Sequence, residues 1–148
     1  MREIKFRALV GGQWFYGDIL NWAGEAQIWA DGHNFIVKNK ETIGQYTGLK
    51  DKNGVEIYEG DVVLFTYWWF DGNEAESELK GSVVYIPEHA SFGLEGVKNT
   101  EWLKHIGDTP DGSDTAPFAS WTFTQNDIEV IGNIYENPEL LNNIEKGK

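Results

Sequence analysis

No cysteine occurs anywhere in the chain of 148 residues. This absence excludes a disulfide framework, a thiol nucleophile, an iron–sulfur cluster and a zinc site with cysteine ligands. It is compatible with a reducing compartment, and we expect a cytoplasmic protein.

Long hydrophobic runs are also missing. The longest apolar run, at 62–70, is far shorter than the roughly 20 residues that cross a bilayer. The first residues alternate charged and apolar side chains and lack the apolar core of a signal peptide. We therefore expect a soluble protein with no membrane partner.

Basic residues are scarce: 12 Lys and Arg stand against 24 Asp and Glu, which gives a net charge of −12. Because each neutralised phosphate of a nucleic acid requires a Lys or Arg, this balance disfavours direct nucleic-acid binding. The acidity also suggests an alternative, a decoy that imitates DNA and occupies a nucleic-acid-binding protein. Against it, the carboxylates cluster mainly in two segments, 71–78 and 108–114, instead of being regularly spaced.

Glycine is abundant, with 17 residues against four prolines, and short apolar segments are closely interrupted by turn formers. Residues 4–10 alternate as a half-buried strand does, and Gly11-Gly12 and Asp31-Gly32 are typical of β-hairpin turns. The pattern predicts a mainly β protein of the β-rich α+β type, built from antiparallel hairpins.

The middle of the chain predicts a small SH3-like barrel. A strand at 43–49, a turn at 51–54 and a strand at 55–58 lead into Glu59-Gly60-Asp61, and a Gly-Asp turn before a core strand is common in such barrels. We predict an N-terminal β-hairpin subdomain at 1–42 and a barrel domain at 43–148.

The acidic segment 71–78 is predicted to be a hairpin loop, and 108–117 a second loop. A short C-terminal helix is predicted to begin at Asn137 and Pro138, since Asn is a favourable cap and Pro suits the first helical position.

An aromatic run is the most informative local feature, and it consists of Tyr67, Trp68, Trp69 and Phe70. Successive strand residues face opposite sides, so the two tryptophans cannot both enter one core. We predict that one side of this run is a protein interface, most simply in a homo-oligomer. The alternative is that a loop or the C-terminal helix covers the second side.

Two weaker binding patches can be named. Tyr46 with Lys50 and Lys52 could stack on a nucleic-acid base and contact its phosphate, although ordinary turn lysines are the simpler interpretation. The second is a sugar-binding site, in which exposed indole rings would stack on sugar rings. Its candidate residues are Trp14, Trp22, Trp29, Trp102 and Trp121. Core packing is the simpler interpretation for these tryptophans.

Catalysis has no motif in this chain: the nucleophile-elbow, Walker, dinucleotide and zinc-protease patterns are all missing. The segment Asp108–Asp114 does not match a calcium loop, and His33, His89 and His105 lack metal-ligand spacing. We predict no catalytic, cofactor-binding or metal-binding residue and no enzymatic activity. A hydrolase with two paired carboxylates is the remaining enzymatic alternative.

Three stretches resemble a known family: REIKFRA at 2–8, IGQYTGLKDKNGVEIYEGDVV at 43–63 and EVIGNIYENPELL at 129–141. They are similar to the segments typical of the YopX family, whose members are encoded mainly by bacteriophages and prophages of Gram-positive bacteria. The resemblance implies a small, mainly β, oligomeric phage protein and carries no known reaction. Segments 11–37 and 66–125 show no motif of the family.

The sequence therefore favours a non-enzymatic phage accessory protein in the host cytoplasm. We expect it to act through protein–protein contacts, as a homo-oligomer and with a host or phage protein as a further partner.

Overall fold

Antiparallel strands dominate the part of the chain that the computed structural model describes, which is residues 3–70, 74–96, 115–117 and 128–141. The strands form two sheets, one of six strands and one of five. The mainly β class that the turn-rich sequence predicts is therefore confirmed.

The first sheet has the strand order β4-β3-β2-β1-β5-β6. Its strands are β1 (Phe6–Val10), β2 (Gln13–Trp22), β3 (Glu25–Ala30), β4 (His33–Ile36), β5 (Gly44–Lys50) and β6 (Glu56–Tyr58). A 3-10 helix at Lys40–Thr42 connects β4 to β5. The predicted hairpin turns at Gly11-Gly12 and Asp31-Gly32 are present, and all four residues have the positive φ that such tight turns require.

Strand β2 serves two neighbours in succession. Its first half, up to Gly17, pairs with β1, and its second half, from Asp18, pairs with β3. The change occurs where the backbones approach closely, because a Cβ on Gly17 would lie 1.8 Å from the carbonyl oxygen of Trp29. Only glycine fits at this position without moving one of the two strands.

The second sheet has the strand order β10-β9-β8-β7-β11. Its strands are β7 (Asp61–Phe70), β8 (Glu74–Ile86), β9 (Ser91–Gly96), β10 (Thr115–Pro117) and β11 (Ile128–Asn133). A 3-10 helix at Pro87–His89 lies between β8 and β9.

Two predicted loops are partly strand. Residues 74–78 belong to β8, because β7 continues to Phe70 and pairs with this acidic segment, from Phe70 opposite Glu74 to Thr66 opposite Glu78. Residues 115–117 pair with β9. The carboxylates at 108–114 lie outside the described residues. Backbone pairing thus outweighs the polar composition that predicted loops.

The predicted SH3-like barrel is wrong in one respect: the described strands form open sheets and no closed barrel. Strand β5 pairs with β1, so β5 and β6 extend the first sheet, while both edges of β7 are occupied by β8 and β11. The expected entry turn is present: Gly60 has φ +91, and Asp61 Oδ2 accepts from the backbone N–H of Tyr58 at 2.8 Å. The turn motif identified a local geometry and not the closure of a sheet.

Two apolar clusters hold the sheets. The first joins β6 to the second sheet, and its buried members are Ile57, Val63, Phe65, Val83, Leu94 and Ile128. The second lies against one side of β1–β3, and its buried members are Ala8, Ala26, Ile28 and Val37. Because β1 pairs with β5, the first sheet crosses the predicted domain boundary at 42/43, and the division into two domains stays a prediction.

The predicted C-terminal helix begins as expected, with helical backbone at 139–141. The cap differs from the expectation, because Asn137 Oδ1 accepts from the backbone N–H of Asn133 at 3.2 Å and so ties the helix start to β11. None of the helical segments in the described ranges is long and apolar enough to cross a membrane.

The close approach at Gly17 generates a stability prediction. We expect Gly17→Ala to lower the free energy of unfolding by about 3 kcal/mol, the upper end of overpacking costs, because the added methyl meets backbone. Urea denaturation checks this, with Gly12→Ala as control, since a Cβ there meets nothing within 4 Å and only its positive φ is penalised, by about 1–2 kcal/mol. Equal losses in the two variants would contradict the close approach.

Candidate functional site

A buried ion pair joins the two sheets. Arg7, on β1, donates from Nη2 to Oδ1 of Asp61, on β7, at 2.7 Å. Both residues are almost fully buried, with exposures of 5% and 2%. Burial raises the pKa of Asp61 above its ordinary value, and the neighbouring Arg7 charge and the Tyr58 N–H oppose that rise. The pair is therefore a costly element that only complete pairing stabilises.

Aromatic rings cover the guanidinium of Arg7. Its Cζ lies 4.3 Å from the ring centroid of Trp14 and 5.0 Å from that of Tyr58. The flat, weakly hydrated guanidinium suits such stacking. Its Nε–H is buried and has no hydrogen-bond partner among the described residues. An unpaired buried donor costs about 1–3 kcal/mol, so this nitrogen is the unexplained atom of the site.

The C-terminal segment closes one side of this arrangement. Glu136 Oε1 accepts from Trp14 Nε1 at 2.8 Å and from Asn133 Nδ2 at 2.9 Å. These two hydrogen bonds lower the pKa of Glu136. The ring of Tyr135 lies 6.1 Å from that of Trp14, and a Cβ on Gly60 would lie 2.8 Å from Tyr135 Cε2. Segments from the start, middle and end of the chain thus meet around Arg7.

A second ion pair lies beside the first. Lys5 Nζ donates to Glu56 Oε2 at 2.7 Å, and the Tyr58 hydroxyl donates to Glu56 Oε1 at 2.9 Å. Desolvation raises the pKa of Glu56, but the hydrogen bonds from Lys5 and Tyr58 lower it by more, so the net shift is downward. The hydrogen bond to Glu56 raises the pKa of Lys5.

An open cleft of about 270 Å³ adjoins these pairs, and we call it the Arg7 cleft. Tyr16 and Val55 are about half exposed, at 47% and 48%, and form its outer part. Tyr58 is buried beneath them, and the Tyr16 and Tyr58 rings meet edge to face at 5.5 Å. The complete lining is Arg7, Tyr16, Val55, Glu56, Tyr58, Asp61 and Val130.

The two carboxylates of the Arg7 cleft bear on the hydrolase alternative. Glu56 and Asp61 line the same cleft, and their pKa values are shifted in opposite directions. However, each of their four oxygens already accepts a hydrogen bond from a donor of the protein. The geometry is that of structural ion pairs. In the described ranges no three His, Asp or Glu side chains converge in a way that could hold a metal ion.

The open side of strands β2–β4 carries a second candidate site. Alternation places Phe15, Ile19 and Ile28 against the buried cluster. The opposite side exposes four large apolar residues, which are Leu20 (45%), Trp22 (73%), Trp29 (46%) and Ile36 (47%). We call these four residues the β2–β4 face.

The strand register makes this face continuous. Leu20 pairs with Gln27, which pairs with Ile36, so these three residues lie in one row across the sheet. Trp29 is two residues beyond Gln27 on β3 and is a diagonal neighbour of Leu20 and of Ile36, within reach of a large side chain. A contiguous apolar patch on a sheet surface is typical of an interaction site.

The predicted aromatic interface lies at the end of β7. Its backbone pairs with β8, with Trp68 opposite Glu76 and Phe70 opposite Glu74. The side chains of Tyr67, Trp68, Trp69 and Phe70 lie outside the described set, so the interface at 67–70 stays a prediction.

The predicted patch of Tyr46, Lys50 and Lys52 is not one open surface. Tyr46 is only 6% exposed, its ring centroid lies 5.4 Å from that of Tyr58, and Lys5 Nζ lies 5.4 Å from the same Tyr46 centroid. Lys52 contacts Glu129 at 3.5 Å. Its binding role stays a prediction, and the structure offers no stacking surface on Tyr46.

The candidate sugar-binding indoles are dispersed. Trp14 covers Arg7, and Trp22 and Trp29 are exposed on the β2–β4 face. Trp102 and Trp121 lie outside the described residues.

Sequence reasoning missed the Arg7 cluster. Alternation along β1 places Arg7 on the side opposite Phe6 and Ala8, which is the ordinary position of a solvated residue. Two features of the sequence could have indicated this pair. Asp61 is an acidic residue at the start of the apolar strand β7, and Arg7 is the one cationic residue of β1.

The buried pair generates a second stability prediction. We expect Asp61→Asn to lower the free energy of unfolding by about 3–5 kcal/mol, because it leaves the Arg7 charge buried without a counterion. Glu129→Gln is the matched control, since it breaks the exposed pair with Lys52 and should cost at most about 1 kcal/mol. Urea denaturation measures both, and similar losses would show that the Arg7–Asp61 pair is not buried as described.

The Lys5–Glu56 pair generates a pH prediction. The folded pKa of Glu56 lies below its ordinary 4.5, so its stabilisation is present above that value and is lost as pH falls through the folded pKa. The folded pKa of Lys5 lies above 10.5, so the other limit is at alkaline pH. The difference in unfolding free energy between the wild type and Glu56→Gln should therefore be constant between pH 6 and 9, decrease as pH falls below 4.5, and level off once the pH is below the folded pKa of Glu56. A difference that grows on acidification would refute it.

Comparison with known proteins places the chain in a family. Among solved structures, the chain is similar to protein EF1440 from Enterococcus faecalis, with 23% identity, coverage of 95% of this chain and 99% of that chain, and a TM-score of 0.47. No protein of curated function matches the sequence. The family model described as YopX protein matches residues 18–142, which is most of the chain. The chain therefore belongs to the YopX family.

Proposed function

We propose that this protein is a non-enzymatic, phage-encoded accessory protein that acts through protein–protein contacts as a homo-oligomer. The observation that carries the proposal is the exposed β2–β4 face. The phage setting rests on membership of the YopX family. The absence of a catalytic motif in the sequence and the internal pairing of Glu56 and Asp61 support a non-enzymatic role.

The energy available at this face is large enough to matter. An aromatic side chain can bury about 150–250 Å², and apolar burial contributes about 25 cal/mol per Å². Covering the exposed part of Trp22 would therefore contribute about 3–5 kcal/mol, and covering that of Trp29 about 2–3 kcal/mol. Interfaces depend on a few such aromatic anchors, with the surrounding contacts excluding water.

A second copy of the chain is the occupant that we propose. A two-fold contact lets the β2–β4 face of one copy cover the same face of its partner, and the 73% exposure of Trp22 leaves this face uncovered in the described structure. Strands β2–β4 carry the acidic residues Asp18 and Glu25 and neither Lys nor Arg. Self-association must therefore work against like charge, so added salt should strengthen it.

Light scattering coupled to gel filtration tests the assembly. We expect a closed oligomer at micromolar concentration that is at least as stable in 500 mM salt as in 50 mM salt. Trp29→Ser should shift the protein to monomer. Tyr85→Ser is the matched control, because Tyr85 has the same 46% exposure but lies on β8 in the other sheet. A wild-type monomer at high micromolar concentration would refute the oligomer.

Two further arms separate the alternatives. Trp69→Ser tests the aromatic run predicted from the sequence, and assembly that fails only in this variant would move the interface to β7.

Pull-down from host lysate at 50 and 500 mM salt tests the DNA-mimic decoy, whose complex with a basic protein should weaken strongly as salt rises. A salt-sensitive complex in place of a homo-oligomer would favour the decoy.

A further inference from the structure

We propose that the free edge of strand β4 pairs with the same edge of a second copy, so that the first sheets of two copies form one continuous sheet. Together with the contact through the β2–β4 face, this pairing makes the assembly a tetramer. The inference rests on the proposed homo-oligomer for the face contact, but it uses backbone groups that the face contact leaves free.

The two sheets have four edge strands in the described structure, and three of these edges hinder the addition of a strand. Strand β10 is three residues long and ends in Pro117, which has no N–H to donate. Strand β11 is covered, because Asp51 Oδ2 accepts from the backbone N–H of Val130 at 2.9 Å. Strand β6 is three residues long, and Asp61 Oδ2 accepts its N–H at Tyr58. Short, covered or proline-bearing edges are the usual protection against unwanted pairing.

Strand β4 has none of this protection apart from its short length. Its four residues, His33–Ile36, include no Pro, Lys, Arg, Asp or Glu. Among the described strands only β3 pairs with it, and no described residue outside β3 hydrogen-bonds to the backbone of Asn34 or Ile36. An uncharged edge with open backbone groups is a template for another strand.

The outward backbone groups of β4 belong to Asn34 and Ile36. The N–H of Val37 donates to the carbonyl oxygen of Ala26 at 2.9 Å, so these two residues form a hydrogen-bonded pair next to the ladder of β3 and β4. Such pairs alternate along an antiparallel ladder, so Phe35 also bonds toward β3. The N–H and C=O groups of Asn34 and Ile36 therefore point away from β3, and both residues are exposed.

A second copy of β4 fits this edge about a two-fold axis at Phe35. Antiparallel pairing then places Asn34 opposite Ile36 of the other copy, twice, and each of these pairs exchanges two N–H···O bonds. Phe35 lies opposite its own counterpart in a non-hydrogen-bonded pair, where side chains are closest and aromatic pairs are favourable. The Phe35 ring stacks on Phe15 at 4.2 Å but the residue stays partly exposed, so the second copy covers an aromatic edge that a single chain leaves open.

The charges beside β4 fit the same antiparallel arrangement. Asp31 precedes the strand and Lys38 follows it, both are exposed, and neither forms an ion pair with another described residue. In an antiparallel pair, Asp31 of each copy lies at the same end as Lys38 of the other, whereas a parallel pair would place like charges together. Exposed ion pairs contribute little energy, so these charges select the orientation and the backbone supplies the contact.

The edge contact and the face contact together determine the number of copies. The two-fold axis of the edge contact is perpendicular to the sheet, and that of the face contact is parallel to it. Two perpendicular two-fold axes that intersect generate a closed assembly of four copies, which is a common class of soluble oligomer. A strand of four residues is too short for a stable interface of about 1,000 Å² or more, so Trp29→Ser should still give a monomer.

The test is a backbone substitution at Asn34, followed by light scattering coupled to gel filtration at micromolar concentration. Asn34→Pro removes an outward N–H and keeps the hydrogen bonds to β3, so it should convert the tetramer to a dimer. Asn34→Ser is the matched control, because it keeps the N–H and should remain a tetramer. A wild-type dimer, an Asn34→Pro tetramer or an Asn34→Ser dimer would overturn the edge contact and leave the face contact standing. A wild-type monomer would overturn both.

Cysteine cross-linking tests the register without the proline variant, since the chain has no cysteine of its own. Copies with Asn34→Cys, mixed with copies with Ile36→Cys, should form a disulfide under mild oxidation. Opposite Cα atoms of a hydrogen-bonded pair are about 5.5 Å apart, within the disulfide range of about 4.4–6.8 Å. Copies that all carry Asn34→Cys should cross-link about tenfold more slowly, because diagonal positions are about 7–8 Å apart. Equal rates, or no cross-link in the mixed sample, would overturn the proposed register.

Discussion

The buried Arg7–Asp61 pair is the interaction on which the arrangement of the two sheets depends. Arg7 belongs to the first sheet and Asp61 to the second, and neither charge has access to solvent that could replace its partner. Such a pair contributes little net stability when complete, but breaking it leaves an uncompensated charge. We infer that the pair specifies how the two sheets meet, while the apolar cluster around Ile57 supplies the attraction between them.

The three segments that resemble the YopX family converge at this pair. Arg7 comes from the first segment, Tyr58 and Asp61 from the second, and Glu136, which accepts from the indole of Trp14, from the third. The segment 11–37 carries the exposed β2–β4 face, and residues 18–37 of it lie within the range that the family model matches. The buried joint between the sheets and the exposed face are thus two separate sites of this chain.

Local chemistry was predictable and long-range pairing was not. The turn at Asp31-Gly32 follows from residues that tolerate positive φ, and so does the turn at Glu59-Gly60, in which Gly60 has the positive φ. Barrel closure could not be inferred in the same way, because it depends on whether β5 pairs with β1 or with a strand of the second sheet. The acidic residues 74–78 were assigned to a loop by composition, but the length of β7 places them in a ladder. Likewise, the sequence predicts Tyr46 to be a surface aromatic residue beside two lysines, but in the structure Tyr58 and Lys5 lie against its ring.

The sequence by itself determined the mainly β class, the tight hairpins and the start of the C-terminal helix, because each depends on a few adjacent residues with strong conformational preferences. It also determined the family, which depends on similarity along most of the chain. Only the tertiary structure decided which polar residues are buried together. Arg7 and Asp61 are 54 positions apart, and nothing in either neighbourhood specifies the other. Their contact arises because two sheets close over them, and that closure also creates the cleft and leaves the β2–β4 face open.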